Sequence, residues 1–119
     1  MTDLKRSLVT YFDPKSNNAE SYRVLRTNLQ FSNVDKKLKS ILVTSASPGE
    51  GKTTSVCNIA VAFAQAGNRT LLIDADMRKP RVHRIFNESA SKGLSLAITD
   101  IVNYKSNIHK TEIPNLECM

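Results

Sequence analysis

The run at 41–54, Ile-Leu-Val-Thr-Ser-Ala-Ser-Pro-Gly-Glu-Gly-Lys-Thr-Thr, constrains the fold of this chain more than any other stretch. An apolar, β-branched segment leads into a turn holding Gly49 and Gly51, and Lys52 opens a helix-compatible segment. Strand, glycine-rich turn and helix in that order are the layout of a phosphate-binding P-loop. The two glycines can take backbone angles closed to other residues and so expose their N–H groups. Together with the free donors of the next helix they make a concave nest for phosphate oxygens. The expected nucleotide contacts are Ser47, Pro48, Gly49, Glu50, Gly51, Lys52, Thr53 and Thr54. Lys52 is placed to reach the terminal phosphates and the Thr53 hydroxyl to ligand Mg²⁺. The usual pattern is G-x-x-x-x-G-K-[ST]; Ala46 stands where its first Gly belongs, which removes none of the contacting groups.

At 119 residues the chain is one domain or part of one. Its net charge of +6 favours anionic partners, but the excess is scattered and reads as a solvated basic surface. The densest run, Lys36-Lys37-Leu38-Lys39, reads as the polar lead-in to a strand, and no aromatic-studded basic stripe marks a nucleic-acid site. Cys57 and Cys118 lack metal-ligand spacing, and nothing resembles a secretion signal, so a reducing cytoplasm is expected. The longest apolar stretch, 56–66, is broken by Cys57, Asn58 and Gln65 and is too short to span a bilayer. Any membrane role must then come through a partner.

Three parts are expected: a flexible segment at 1–18, a helix within 19–33, and the beginning of a P-loop domain at 38–119. Asn17 with Glu20 suggests a helix N-cap, and Tyr22, Leu25 and Leu29 form an apolar stripe. Arg23 and Arg26 flank the stripe, Glu20 and Arg23 making an i,i+3 pair. Residues 40–45 read as a buried strand, 52–66 as a helix closed by Gly67, and 70–74 as a second strand. The unit 41–74 is then βαβ with parallel strands. Beyond it come a turn and short helix at 77–86, a helix-like stretch from Lys92, a polar loop over 103–113 and the start of a third strand at 115–119.

The second strand ends in Asp74-Ala75-Asp76. Acids at i and i+2 of a strand share a side, so both can face phosphates emerging from the loop. There they can hold Mg²⁺ or its waters, and one can accept a proton from an attacking hydroxyl. Alternatively Asp74 caps the following turn and Asp76 is solvated.

Three stretches, 20–28 (Glu-Ser-Tyr-Arg-Val-Leu-Arg-Thr-Asn), 45–54 and 72–80 (Leu-Ile-Asp-Ala-Asp-Met-Arg-Lys-Pro), together resemble the bacterial tyrosine kinases (BY-kinases) of the CpsD/CapB type. The resemblance covers about residues 19–119. It implies an α/β fold with a P-loop NTPase-type parallel sheet flanked by helices, of the deviant Walker A/Walker A′ class, incomplete at the C-terminus. It also implies an ATP- and Mg²⁺-dependent tyrosine autokinase of capsular and extracellular polysaccharide synthesis, with Lys52, Asp74 and Asp76 as catalytic residues. Thr53 and Asp76 would serve the metal, and Asp74 would activate the attacking hydroxyl. The stretch 20–28 matches the family's oligomerisation motif, which puts Glu20, Tyr22, Arg23 and Arg26 at a subunit contact in a homo-oligomeric ring. The implied partners are protein tyrosines and a transmembrane activator of the polysaccharide co-polymerase or chain-length-regulator type, holding a cytoplasmic protein at the membrane's inner face. No nucleic acid is implied.

The family's Walker B strand and tyrosine-rich tail are not in this sequence, whose tyrosines are Tyr11, Tyr22 and Tyr104. The chain is therefore expected to be an N-terminal fragment with little or no kinase turnover of its own. Two other readings stand beside the kinase. One is a partition- or septum-type ATPase switch, whose class places a signature lysine where this chain has Ser47. The other is a non-catalytic, nucleotide-binding fragment.

Overall fold

The computed structural model describes residues 7–33, 35–47, 49–87 and 93–119. Its elements are α1 (Val9–Phe12), α2 (Asn17–Gln30), α3 (Lys52–Gln65), β1 (Thr70–Leu72), α4 (Val82–Ile85), α5 (Leu94–Thr99), a 3₁₀ helix (Ile101–Asn107), β2 (His109–Lys110) and β3 (Leu116–Cys118). Helix α3 is rich in alanine, which loses no side-chain entropy in a helix, and it buries Cys57, Asn58, Ile59, Ala60, Val61, Ala62 and Ala64. It stops at Gly67, whose φ of 90° suits glycine alone without strain. There the Gly67 N–H donates to Ala64 O at 3.0 Å and the Asn68 N–H to Phe63 O at 3.1 Å, the paired bonds of a Schellman motif.

The strands form one sheet in the order β1-β3-β2. β1 and β3 are parallel, Thr70 opposite Leu116 and Leu72 opposite Cys118. Beyond β1 the Asp74 N–H donates to Met119 O at 2.8 Å, so the ladder delivers Asp74 at the strand's carboxyl end. Leu72, Leu116 and Cys118 pack with Cys57, Ala60, Val61 and Ala64 in the core. Leu71 and Ile73, on the opposite face of the strand, stay 42% and 46% exposed. Burial, with smaller contributions from Asp74 and Cys118, pushes the Cys57 thiol up to about 12, so it stays protonated at neutral pH.

Five expectations change, the first being that the polar loop expected over 103–113 holds most of the 3₁₀ helix and all of β2. The sheet is mixed: β2 runs antiparallel to β3, because only 111–115 separates them and so short a link forms a hairpin. Asn115 turns that hairpin in the left-handed region at φ 68°, and the Thr111 hydroxyl bridges it by donating to Leu116 O at 2.8 Å. Residues 40–45 belong to no ladder among the described residues, and Leu42 is 88% exposed. An apolar run becomes a strand only where a partner edge and a cover exist, and this run has neither there. Helix α2 is capped by Ser16, whose Oγ accepts the Ala19 N–H at 3.1 Å, so Asn17 is already helical and Glu20 turns to Arg23. Finally, the segment expected to be flexible is packed over 8–12, where Leu8 and Thr10 are buried.

Asn58 explains that packing. Its side chain is fully buried on α3; Oδ1 accepts the Thr10 N–H at 3.1 Å and the Thr10 hydroxyl at 2.8 Å. Its amide donates to the Ser7 and Thr54 carbonyls, and Gln65 Nε2 donates to Thr10 O at 3.0 Å. A buried polar group is tolerated because every one of these atoms is paired. Replacing Asn58→Ala strands Thr10's donors and should cost about 2–4 kcal/mol. Urea denaturation followed by circular dichroism measures this, and an unchanged midpoint would refute the clamp.

Candidate functional site

The loop before α3 has the conformation its glycines were expected to allow. Gly49 and Gly51 lie in the left-handed region at φ 79° and 80°. An added Cβ would meet nothing within 4 Å at either, so backbone conformation, not space, selects glycine here. Gly51 is the N-cap of α3 and no side chain caps the helix. The first-turn N–H groups, beginning with those of Lys52 and Thr53, have no intrahelical partner and open toward the loop. Ser47, Gly49, Glu50 and Gly51 are exposed, Lys52 and Thr53 half-buried, and Thr54 exposed. Pro48 lies outside the described residues.

Asp74 and Asp76 follow β1 at its carboxyl end, and the charge of Lys52 is felt at Asp76. Each is an acceptor for the turn that follows it. Asp74 Oδ1 accepts the Asp76 N–H at 3.1 Å, and Oδ2 accepts the N–H groups of Arg81 and Val82 at 3.0 and 3.1 Å. Asp76 Oδ1 accepts the N–H groups of Arg78 and Lys79 at 3.2 and 3.0 Å. The Lys79 bond, with help from the Arg78 bond and the charges of Lys52 and Arg81, outweighs desolvation and holds the Asp76 carboxyl below the usual carboxylate range. Lys52 and Asp76 are thus within electrostatic reach of each other. The turn-capping role, one of two readings open from sequence, holds for Asp74. Asp76 is exposed as that reading required, yet it too binds the turn.

The donor set suits phosphate and, through the Thr53 hydroxyl and Asp76 Oδ2, a hydrated divalent ion. Among the described residues no three His, Cys, Asp or Glu side chains converge into a metal cage. Sequence reasoning missed Asn58, which holds the Thr54 carbonyl in the first turns of α3; its signal was a lone amide within an apolar helical run.

The four α2 residues separate. Glu20 is exposed and its Oε2 pairs with Arg23 at 2.8 Å. Arg26 instead points into the molecule, Nη1 donating to Ala62 O of α3 at 3.2 Å. Tyr22, half-buried, lines a cleft of about 420 Å³ with Ser7, Val9, Asn18, Ser21, Thr54 and Asn58. That cleft shares only Thr54 with the phosphate loop.

A model for the CobQ/CobB/MinD/ParA nucleotide-binding domain matches residues 41–113. The chain is 50% identical over 92 residues to the tyrosine-protein kinase YwqD of Bacillus subtilis (strain 168), covering 77% of this chain and 39% of that protein. Its fold matches the crystal structure of the chimerical protein CapA2B2 with a TM-score of 0.89 at 43% identity, over 96% of this chain and 50% of that one. It also matches the BceF tyrosine kinase domain with a TM-score of 0.82 at 36% identity, over 94% and 44%. The chain thus spans half or less of each of these three.

The Asp76 carboxyl carries a testable pH signature. Its folded pKa lies below its unfolded value, so its stabilisation is fully present above the unfolded value. It is lost as pH falls through the folded one. Between about pH 5 and pH 2 the wild-type urea midpoint should therefore fall further than that of Asp76→Asn. Parallel profiles would refute a stabilised carboxylate.

Proposed function

The chain belongs to the CobQ/CobB/MinD/ParA nucleotide-binding domain family, and from that premise we propose that its protein is an ATP-dependent protein-tyrosine kinase of capsular and extracellular polysaccharide synthesis. The observation that carries the reading is the 50% identity over 92 residues to a tyrosine-protein kinase, in a chain whose glycine loop opens a helix at Lys52 and whose β1 runs into the Asp74/Asp76 turn. Ser47, where a partition-type ATPase would carry its signature lysine, weighs against that alternative.

Bound Mg·ATP would supply the transferable phosphoryl group and neutralise its developing charge. The N–H groups of Gly49, Gly51 and the first turn of α3 hold the phosphate oxygens, joined by Ser47, Glu50 and Thr54, while Pro48, which has no N–H to donate, would contribute contact alone. Lys52 balances charge at the terminal phosphates. Thr53 and Asp76 Oδ2 hold the metal or its waters. Asp74 accepts one N–H on Oδ1 and two on Oδ2, which fixes its orientation and leaves an acceptor position on Oδ1. That position takes the proton of the attacking tyrosine hydroxyl. Rate comes from positioning and preorganised charge.

Among the described residues no helix is long and apolar enough to cross a membrane. In this proposal the protein works at the inner face of the cell membrane through a transmembrane activator of the polysaccharide co-polymerase type. It assembles as a ring in which the exposed Glu20 and the half-buried Arg23 meet a neighbouring subunit.

In the full-length protein Lys52→Met should lower phosphotyrosine formation by about 10²-fold or more, with an unchanged circular dichroism spectrum. Undiminished phosphotyrosine on an anti-phosphotyrosine blot would sink the kinase assignment. Arg23→Ala should shift the particle toward monomer in light scattering without lowering its melting temperature, whereas Arg26→Ala should lower the melting temperature. A ring that survives Arg23→Ala would remove this pair from the interface.

A further inference from the structure

The turn over 74–82 carries more positive charge than its role beside a nucleotide requires. Its two acids, Asp74 and Asp76, are engaged by five backbone N–H groups, those of residues 76, 78, 79, 81 and 82. Bonded in this way, the carboxylates serve the backbone, and neither forms a close ion pair with a described cation of the turn, Arg81 adding only its charge at Asp76. Arg78, Lys79, Arg81 and, one turn into α4, Arg84 are all exposed. None forms an ion pair with a described residue, although Glu20 and Arg23 show that close pairs do form in this chain. Among the described residues, four cations without an ion-pair partner therefore stand on a short segment whose backbone is held by its own acids, one of which feels the charge of Lys52. Preorganised charge of this kind attracts an anion without a large ordering cost.

We infer that this cationic turn is the docking rim for the polypeptide substrate, and that the preferred substrates carry glutamate or aspartate beside the reacting tyrosine. The inference rests on the kinase reading of the neighbouring loop and adds to it the chemical class of the substrate. The nucleotide phosphates already have the N–H nest and Lys52, so the outward cations are left for a second anion. An acidic peptide is favoured over single-stranded nucleic acid because residues 74–82 hold no aromatic side chain on which a base could stack, and Phe86 beyond them packs against the core. Complementary charge at such a rim acts on encounter and selectivity more than on the chemical step.

The test measures binding apart from phosphoryl transfer. A fluorescein-labelled peptide with one tyrosine between glutamates, and the same peptide with glutamines, are titrated with the full-length protein in Mg·ADP and read by anisotropy. At low salt the acidic peptide should bind about tenfold more tightly, and the advantage should shrink as salt rises. Lys79→Gln with Arg84→Gln should remove most of that advantage and leave the Mg·ADP affinity unchanged, while Lys79→Arg with Arg84→Lys should keep it. Equal binding of the two peptides, or an advantage surviving the double glutamine variant, overturns the inference. So does a single-stranded oligonucleotide of equal charge that binds as tightly as the acidic peptide. If the acidic preference holds but the wild type forms no phosphotyrosine, the docking rim stands and the kinase reading fails.

Discussion

Burial of one helix organises the molecule. α3 buries seven residues between the sheet and the segment 8–12, and its first residue is the lysine of the phosphate loop. Packing of α3 therefore fixes the loop: once Cys57, Val61 and Ala64 are seated against Leu72, Leu116 and Cys118, the direction of Lys52 follows. Small side chains allow this close approach. A larger residue at Ala60 or Ala64 would meet a filled core, where overpacking commonly costs about 1–3 kcal/mol. The polar exception, Asn58, is tolerated only because all of its capacity is used, and through it the N-terminal segment is tied to the second turn of the same helix.

The acid turn follows a different logic. A strand end with two carboxylates beside a phosphate site would repel its ligand if both charges faced it unscreened. Here five N–H groups share the two carboxylates, which spreads their charge over the turn and leaves Asp76 Oδ2 and one position on Asp74 Oδ1 for other partners. With the backbone held by these bonds, the side chains of Arg78, Lys79 and Arg81 stay exposed. One set of contacts therefore shapes the turn, orients the acids and displays the cations.

Legibility followed the range of the interactions. Gly49, Gly51 and Gly67 were readable because each answers a local backbone demand, a positive φ that few other residues meet. The Glu20 and Arg23 pair was readable for the same reason, since helical spacing alone brings them together. Residues 40–45 misled because their β-branched apolar pattern reports a capacity for pairing, and pairing depends on a distant edge. Strand β2 was missed because two polar residues, His109 and Lys110, carry no strand signature; the hairpin with β3 makes them one. The Ser16 cap and the Asn17 reading differ by a single residue, the ordinary ambiguity where several small polar side chains adjoin. Asn58 could be noticed but not assigned, because its partners lie 48 and 51 positions away.

Helix α2 shows how one motif can serve two interactions. Arg23 and Arg26 are three apart and so share a face, yet they meet different environments. Arg26 lies where that face closes on α3, and its guanidinium finds the Ala62 carbonyl near the negative end of the helix, where a cation is favoured. Arg23 lies where the face opens, held by Glu20 and partly in water. Near its N-terminus α2 also flanks the cleft at Thr54 and Asn58. Arg26 thus ties α2 to the last turn of α3, the helix whose first residue is the lysine of the phosphate loop.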